Sequence, residues 1–203
     1  MKIYELAASP SAKRVRIFLN EIGLVIPTVS VDIRAGENLT QEFLDKSANG
    51  RIPLLELDDG VFLSESVAIC RYLESTTNPV SSLFGNTALE QAQIEMWHRM
   101  VELQGLIPAF QAFRNISGVY ADRETCIASW GEESKLRLIN FLPCLDKQLS
   151  KHTYIAGEQF SIVDISGYIL ITFAKNLKID IPAELTHLAR WFESVQQRPS
   201  VKL

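Results

Sequence analysis

Apolar and polar positions change period once along this chain. In residues 1–77 short alternating runs interleave with helical stripes; from residue 87 onward only helical spacing recurs. Lys2 to Leu6 predicts a strand. Val15, Phe18, Leu19 and Ile22, at i, i+3, i+4 and i+7, predict a helix over 11–23, with Gly23 where a C-terminal cap is expected. Val29, Val31 and Ile33 alternate as a second strand, and Thr40 is placed to cap a short helix through Phe43 and Leu44. Leu54 to Leu57 and Val61 to Leu63 read as two strands around an Asp58-Asp59-Gly60 turn, followed by a helix from Ser66. The order is βαβαββα. A helix between the first two strands predicts that they are parallel, and the tight turn makes the last two an antiparallel hairpin.

Turn formers in TTNPVSSLFGN mark a linker, taken as 78–86, between domains at 1–77 and 87–203. The second region reads as an all-α bundle. A long helix is expected over 87–113, with Met96, Met100, Leu103, Ile107 and Phe110 as its apolar stripe and a bend near Pro108. A second is expected over 122–150, with Leu138, Leu142, Leu145 and Leu149 on one face and a kink at Pro143. Residues 162–176 are apolar nearly all round, the mark of a buried helix. Ser161 and Asp164 form a capping box at its start, read here as a folding signal. Leu185, Leu188, Ala189, Phe192 and Val195 define a last amphipathic helix that stops before Pro199.

Composition narrows the function classes. The 203 residues are 47% hydrophobic and 22% charged, with a net charge of −4, so a globular fold is expected. No basic stripe suggests nucleic-acid binding. No apolar run has the length of a membrane span, and MKIYELAAS lacks the apolar core of a signal peptide. Cys70, Cys126 and Cys144 are odd in number, widely spaced and form no CxxC, which points to a reducing compartment without a disulfide framework or zinc site. His98, His152 and His187 are isolated, so no metal is expected; each reads as a surface or core-edge residue.

Candidate chemistry concentrates in the first region. The stretch NGRIPLLELDDGVFLSES, Asn49 to Ser66, opens with Ile52 before Pro53, and proline restricts its predecessor to extended conformations. A cis bond there exposes the Ile52 backbone to an added strand of ligand; a trans bond makes an ordinary turn before a strand. Ser64-Glu65-Ser66 precedes a helix, whose N-terminal N–H groups and partial positive charge favour a carboxylate. Ser66 can serve that carboxylate and Glu65 an ammonium; equally, a serine can be a plain N-cap and Glu65 a favourable charge on the dipole. Ser9-Pro10-Ser11-Ala12-Lys13-Arg14 forms a strand-to-helix turn with two cations at the wrong end of the helix for the dipole, a conflict that an anion bound nearby would relieve and solvent would screen.

These motifs resemble the cytosolic glutathione transferases. The resemblance covers essentially the whole chain and is strongest in SPSAKRVRIFLNEIGL, NGRIPLLELDDGVFLSESVAICRYL and AGEQFSIVDI. It implies a thioredoxin-like α/β N-terminal domain, an all-α C-terminal domain, glutathione as co-substrate, a small hydrophobic electrophile as second substrate, a cytoplasmic homodimer and a role in detoxification. Ser9 falls where the serine-type classes (theta, delta, zeta) keep their catalytic hydroxyl, with Ser11 as runner-up. Ser11, Lys13, Arg51, Ile52, Pro53, Glu65 and Ser66 are the expected glutathione-binding residues. Met100, Gln104 and Phe113 are candidates to line the second-substrate site. Neither tyrosine nor cysteine stands in the Ser9 turn. The chain is also similar to a bacterial and fungal group in which residues of the helical domain hold a water near the thiol; Arg114, Asn115 and Ser117 lie in that region. Alternatives that keep the glutathione site are isomerisation and peroxide reduction. A non-enzyme alternative is a transferase-like scaffold that binds RNA polymerase or a hydrophobic cargo.

Overall fold

Four short strands organise the first unit: β1 (Lys2–Glu5), β2 (Thr28–Ser30), β3 (Leu54–Glu56) and β4 (Phe62–Leu63). This is a computed structural model, and it describes residues 1–77 and 82–202. The chain divides into two units, Met1–Ser82 with Pro199–Leu203, and Leu83–Arg198.

The sheet order is β2-β1-β3-β4, with β1 and β2 parallel and both other pairs antiparallel. Helices α1 (Pro10–Ile22), α2 (Gln41–Leu44) and α3 (Ser66–Thr77) complete the βαβαββα order. Helix α1 ends at Gly23, whose left-handed backbone donates to the Asn20 and Leu19 carbonyls. Its inward face, Val15, Ile17 and Phe18, is fully buried. Strand β2 is shorter than its alternation suggests, because the Asp32 carboxylate accepts from the Arg34 and Ala35 N–H groups and turns the chain. Val31 still reaches the core with Phe43 and Leu54.

Register sets what lies at each end of this sheet. Tyr4 pairs with Leu54 and Leu55 with Leu63. The end of β1, the start of β3 and the end of β4 therefore lie side by side. The segments leaving or entering there contain Ser9, Pro53 and Ser66.

The tail groups with the first unit, unlike the expected division at 87–203: Asn20 Nδ2 donates to the Ser200 carbonyl at 3.1 Å, and Val201 is buried. Of the expected linker, residues 78–81 lie outside the described residues. Leu83 and Phe84 are buried, and the Leu83 carbonyl accepts from the Ile162 N–H at 3.1 Å.

The second unit is helical: α4 (Ala88–Met100), a π-helical stretch at Val101–Leu106, α5 (Ile107–Ser117), α6 (Ala128–Leu149), α7 (Ile162–Ala174) and α8 (Thr186–Gln196). Thr87 and Glu90 form a second capping box, visible in the sequence as Thr-x-x-Glu. The expected long helix is thus continuous but changes pitch. Its inward face is His98, Val101, Gly105, Leu106, Ala109 and Ala112. The expected stripe, at the same spacing but on another face, turns outward: Met96, Leu103 and Ile107 are exposed, and Met100 and Phe110 are half-buried. Gly105 permits this approach, since a Cβ there would come within 2.5 Å of Leu170 Cδ2.

Helix α6 begins at Ala128, not near 122, because the Ile127 N–H is taken by Asn115 Oδ1 at 2.7 Å. Pro143 faces solvent within it, while Leu138, Leu142, Leu145 and Leu149 are buried as expected. His98, expected at the surface or core edge, is 1% exposed; its Nε2 lies 2.9 Å from Ser166 Oγ and links α4 to α7. Asp164 is fully buried and accepts from the Ser161 N–H and Oγ, the Ile155 N–H and the Trp191 indole. Burial outweighs those donors and pushes its carboxyl up to about 6.

Candidate active site

Three segments build the site at one end of the first unit's sheet. The first is the turn from β1 into α1. Ser9 is the N-cap of α1, extended at φ −71°, and its Oγ accepts from the Ala12 N–H at 3.3 Å. Pro10 follows as the first helical residue, where its missing N–H is harmless. That Ser-Pro cap signature was legible in the sequence. The Ser9 oxygen accepts from the backbone, which leaves its hydroxyl hydrogen available to donate elsewhere. Ser11 is half-buried in the first turn, and Lys13 is exposed. Arg14 departs from expectation: it is 6% exposed, and its Nη1 donates to Ser66 Oγ at 2.8 Å.

The second segment is the Asn49–Pro53 turn. The Ile52–Pro53 bond is cis, and half-buried Ile52 stands just before β3, outside the strand. The Arg51 N–H meets Ser47 Oγ at 3.3 Å and Asn49 Oδ1 at 3.1 Å, so its backbone is held while its side chain is exposed. Gly50 has φ +61°, and a Cβ there would lie 3.0 Å from the Asn38 carbonyl. Asn38 Nδ2 donates to the Gly50 carbonyl at 2.7 Å, which fixes the turn from the α2 side.

The third segment is the start of α3. Glu65 has φ +67°, a left-handed backbone that costs a non-glycine residue of order 1–3 kcal/mol. Its carboxylate is exposed and accepts from Asn49 Nδ2 at 3.4 Å, tying this segment to the previous one. Ser66 is buried, the first residue of α3. Cys70, one turn further on, is fully buried, and burial pushes its thiol far above the ordinary range, so it packs and does not react.

This arrangement sits within a chain whose residues 8–76 match the model of the glutathione S-transferase N-terminal domain, and residues 131–199 that of the C-terminal domain. Over 211 residues it is 33% identical to glutathione S-transferase 2 of Saccharomyces cerevisiae, covering 100% of this chain and 88% of that protein. The chain belongs to the glutathione S-transferase family. Solved structures agree. A class Gtt2 glutathione S-transferase of Vibrio parahaemolyticus is 54% identical with a TM-score of 0.90, covering 100% of this chain and 96% of that one. Gtt2 from Saccharomyces cerevisiae is 33% identical with a TM-score of 0.94, covering 100% and 99%.

For a member of this family, the helical-unit candidates are scattered. Gln104 lines a cavity of about 450 Å³ with Leu103, Gln111, Trp130, Arg137 and Cys144. Met100 is not among its lining residues. Phe113 stands edge-on to Phe173, 5.3 Å between ring centres, as part of a small aromatic cluster with Phe110. The residues considered for holding a water have local partners. Arg114 pairs with Glu124 at 2.6 Å and lies over the Tyr120 ring. Asn115 bridges the Gln111 carbonyl and the Ile127 N–H. Ser117 Oγ donates to the Phe113 carbonyl at 2.6 Å. They close the turn between α5 and α6. Among the described residues, no three His, Cys, Asp or Glu side chains gather as a metal site.

Proposed function

We propose that this transferase lays glutathione along the Ile52 edge and conjugates its thiolate to small hydrophobic electrophiles. The observation that carries the reading is the register: it brings the Ser9 turn, the cis Ile52–Pro53 bond and the Glu65–Ser66 helix start to one end of the sheet. The cysteinyl backbone of glutathione pairs with Ile52 as an added strand. The γ-glutamyl carboxylate takes the Ser66 hydroxyl and the N–H groups opening α3, and its ammonium takes Glu65. Lys13 and Arg51 are exposed cations suited to the glycyl carboxylate, and Ser11 shares the first turn of α1 with Lys13.

Ser9 is the thiol activator in this reading. A free thiol near pKa 8.5 is only a few per cent thiolate at neutral pH. Lowering it by roughly two units takes about 2.7 kcal/mol, within reach of a hydroxyl donor at a helix N-terminus. The capped oxygen leaves the Ser9 hydrogen for the sulfur, so Ser9 stabilises the thiolate and is not itself a nucleophile. The thiolate then forms the carbon–sulfur bond to the electrophile. Gln104 and the cavity beside it are the best-supported part of the expected second-substrate set. Exposed Leu89 and Met96 on α4, outside the lining of that cavity, support a homodimer in which a second copy covers them. The odd, dispersed cysteines support a cytoplasmic location, and detoxification is the matching role.

The test is retention on immobilised glutathione followed by turnover of a chromogenic electrophile across pH. Ser9→Ala should retain binding, cut turnover and move the pH–rate midpoint upward. An unchanged midpoint and rate would remove Ser9 from the role; binding without turnover in the native chain would favour a scaffold.

A further inference from the structure

We infer that Cys144 is a covalent modification site: the cavity of the helical unit holds its own thiol, and without glutathione an activated aryl halide bound there is captured as a thioether. The inference rests on the reading of that cavity as part of the second-substrate site. The cavity, about 450 Å³, has the size of a small-molecule site and lies wholly in the helical unit. On α6 its lining follows one stripe: Ser134, Arg137, Phe141 and Cys144 stand at spacings of three, four and three. Two contacts set what faces them. The Trp130 indole donates to Gln111 Oε1 at one end. At the other, a Cβ on Gly105 would lie 3.3 Å from Phe141 Cε1. Gln104, next to Gly105 in the chain, therefore stands at the Phe141–Cys144 end.

Ser134 indicates that this space is built for a ligand. It is 1% exposed, it lines the cavity, and among the described residues its hydroxyl has no hydrogen-bond partner. A buried hydroxyl in that condition is costly, and an acceptor on a bound molecule relieves it. Trp130 and Phe141 offer aromatic surface, so the matching ligand is an aromatic ring that carries an acceptor such as a nitro group. The other two thiols lack this setting. Cys70 is fully buried in the first unit, and Cys126 lies outside the cavity lining, its Sγ donating to the Glu124 carbonyl at 3.8 Å. In the step itself, the Cys144 sulfur gives its proton to solvent and its electron pair to the ring carbon that bears the halide. The carbon–sulfur bond forms, the carbon–halogen bond breaks, and halide leaves without any oxidant or reductant. Holding the ring beside the sulfur makes the step unimolecular, so its rate saturates with electrophile, whereas a thiol met from solution reacts in proportion to concentration. The adduct fills the cavity, so self-alkylation competes with conjugation when glutathione is scarce.

The experiment treats the native chain with chlorodinitrobenzene, without glutathione, and follows adducts by peptide mass mapping. Cys144 should be labelled about tenfold faster than Cys126, or more, with a rate that saturates as the reagent rises. Leu103→Trp, at an exposed position where the larger ring fills the cavity, should slow Cys144 by about tenfold and leave Cys126 unchanged. Cys144→Ser should abolish the saturable phase. Labelling of Cys144 that is linear in reagent and no faster than at Cys126 overturns the inference. The two readings fail separately. If Leu103→Trp raises KM for the electrophile in the glutathione assay while native Cys144 stays unlabelled, only the role of the thiol falls. If Cys144 labels with saturation while conjugation runs unchanged in the labelled chain and in Leu103→Trp, the thiol's role stands and the cavity is not the second-substrate site.

Discussion

Two helices of this transferase start with a serine and an acid, and they use them in opposite ways. At the start of α7 the acid turns inward: Asp164 is fully buried and accepts four hydrogen bonds from Ser161, Ile155 and Trp191. At the start of α3 the acid turns outward: Glu65 holds a left-handed backbone with its carboxylate exposed, and the serine is held from behind by Arg14. Every group at the first start is spent on the fold. The second keeps a carboxylate and a hydroxyl hydrogen in reserve, at the expense of backbone strain and a buried cation. The same residue types at a helix N-terminus thus serve the fold where their hydrogen bonds close inside it, and at α3 are left for the ligand we propose.

The largest expected effect breaks the α7 start. Asp164→Ala leaves the buried Ser161 and Ile155 N–H groups and the Trp191 indole without their acceptor, and should cost roughly 3–5 kcal/mol in urea unfolding. A loss under about 1 kcal/mol would mean that the box is not a folding signal.

Next comes pH. The folded Asp164 carboxyl titrates near 6, above its ordinary value, so the native state binds more protons between about pH 4 and pH 6. Its contribution to stability is full below that window and falls as pH rises through it, by about 3 kcal/mol. Asp164→Asn should flatten the profile. A native profile rising over the same interval, unaltered in the variant, contradicts the assignment.

The α3 start should respond differently. Ser66→Ala should weaken glutathione binding by calorimetry about tenfold or more while lowering stability by only about 1 kcal/mol. Equal losses in both quantities would make Ser66 structural. Smallest is the stability change for Glu65→Gly. Relief of the left-handed strain offsets glycine's added freedom, so stability should stay within about 1 kcal/mol of native while glutathione binding weakens. A large loss of stability would place Glu65 with Asp164, as a fold residue.

The contrast also explains what was legible in the sequence. The βαβαββα order, the buried α7 and its capping box follow from local periodicity and cap spacing, which structure seldom overrides. Ile52-Pro53 and Ser64-Glu65-Ser66 were legible because proline and helix ends impose backbone consequences at fixed offsets. Arg14 was not: its partner Ser66 is 52 residues away, and a charged residue among apolar ones reads as exposed. The outward turn of Met96, Leu103 and Ile107 was hidden because a competing set at the same helical spacing, His98, Val101, Gly105, Ala109 and Ala112, takes the inward face. The start of α6 was set by Asn115 reaching Ile127, again a contact between elements. Of Met100, Gln104 and Phe113, Gln104 lines the cavity described in the helical unit; apolar spacing on a helix does not distinguish a packed face from a lining one.

The most direct test titrates glutathione into the isotopically labelled native chain and follows backbone amide resonances. The amides of Ile52, Glu65 and Ser66 should shift and saturate together, while those of Ser161, Val163 and Asp164 stay in place. Saturation by glutathione with Ile52 and Ser66 unmoved would contradict the account.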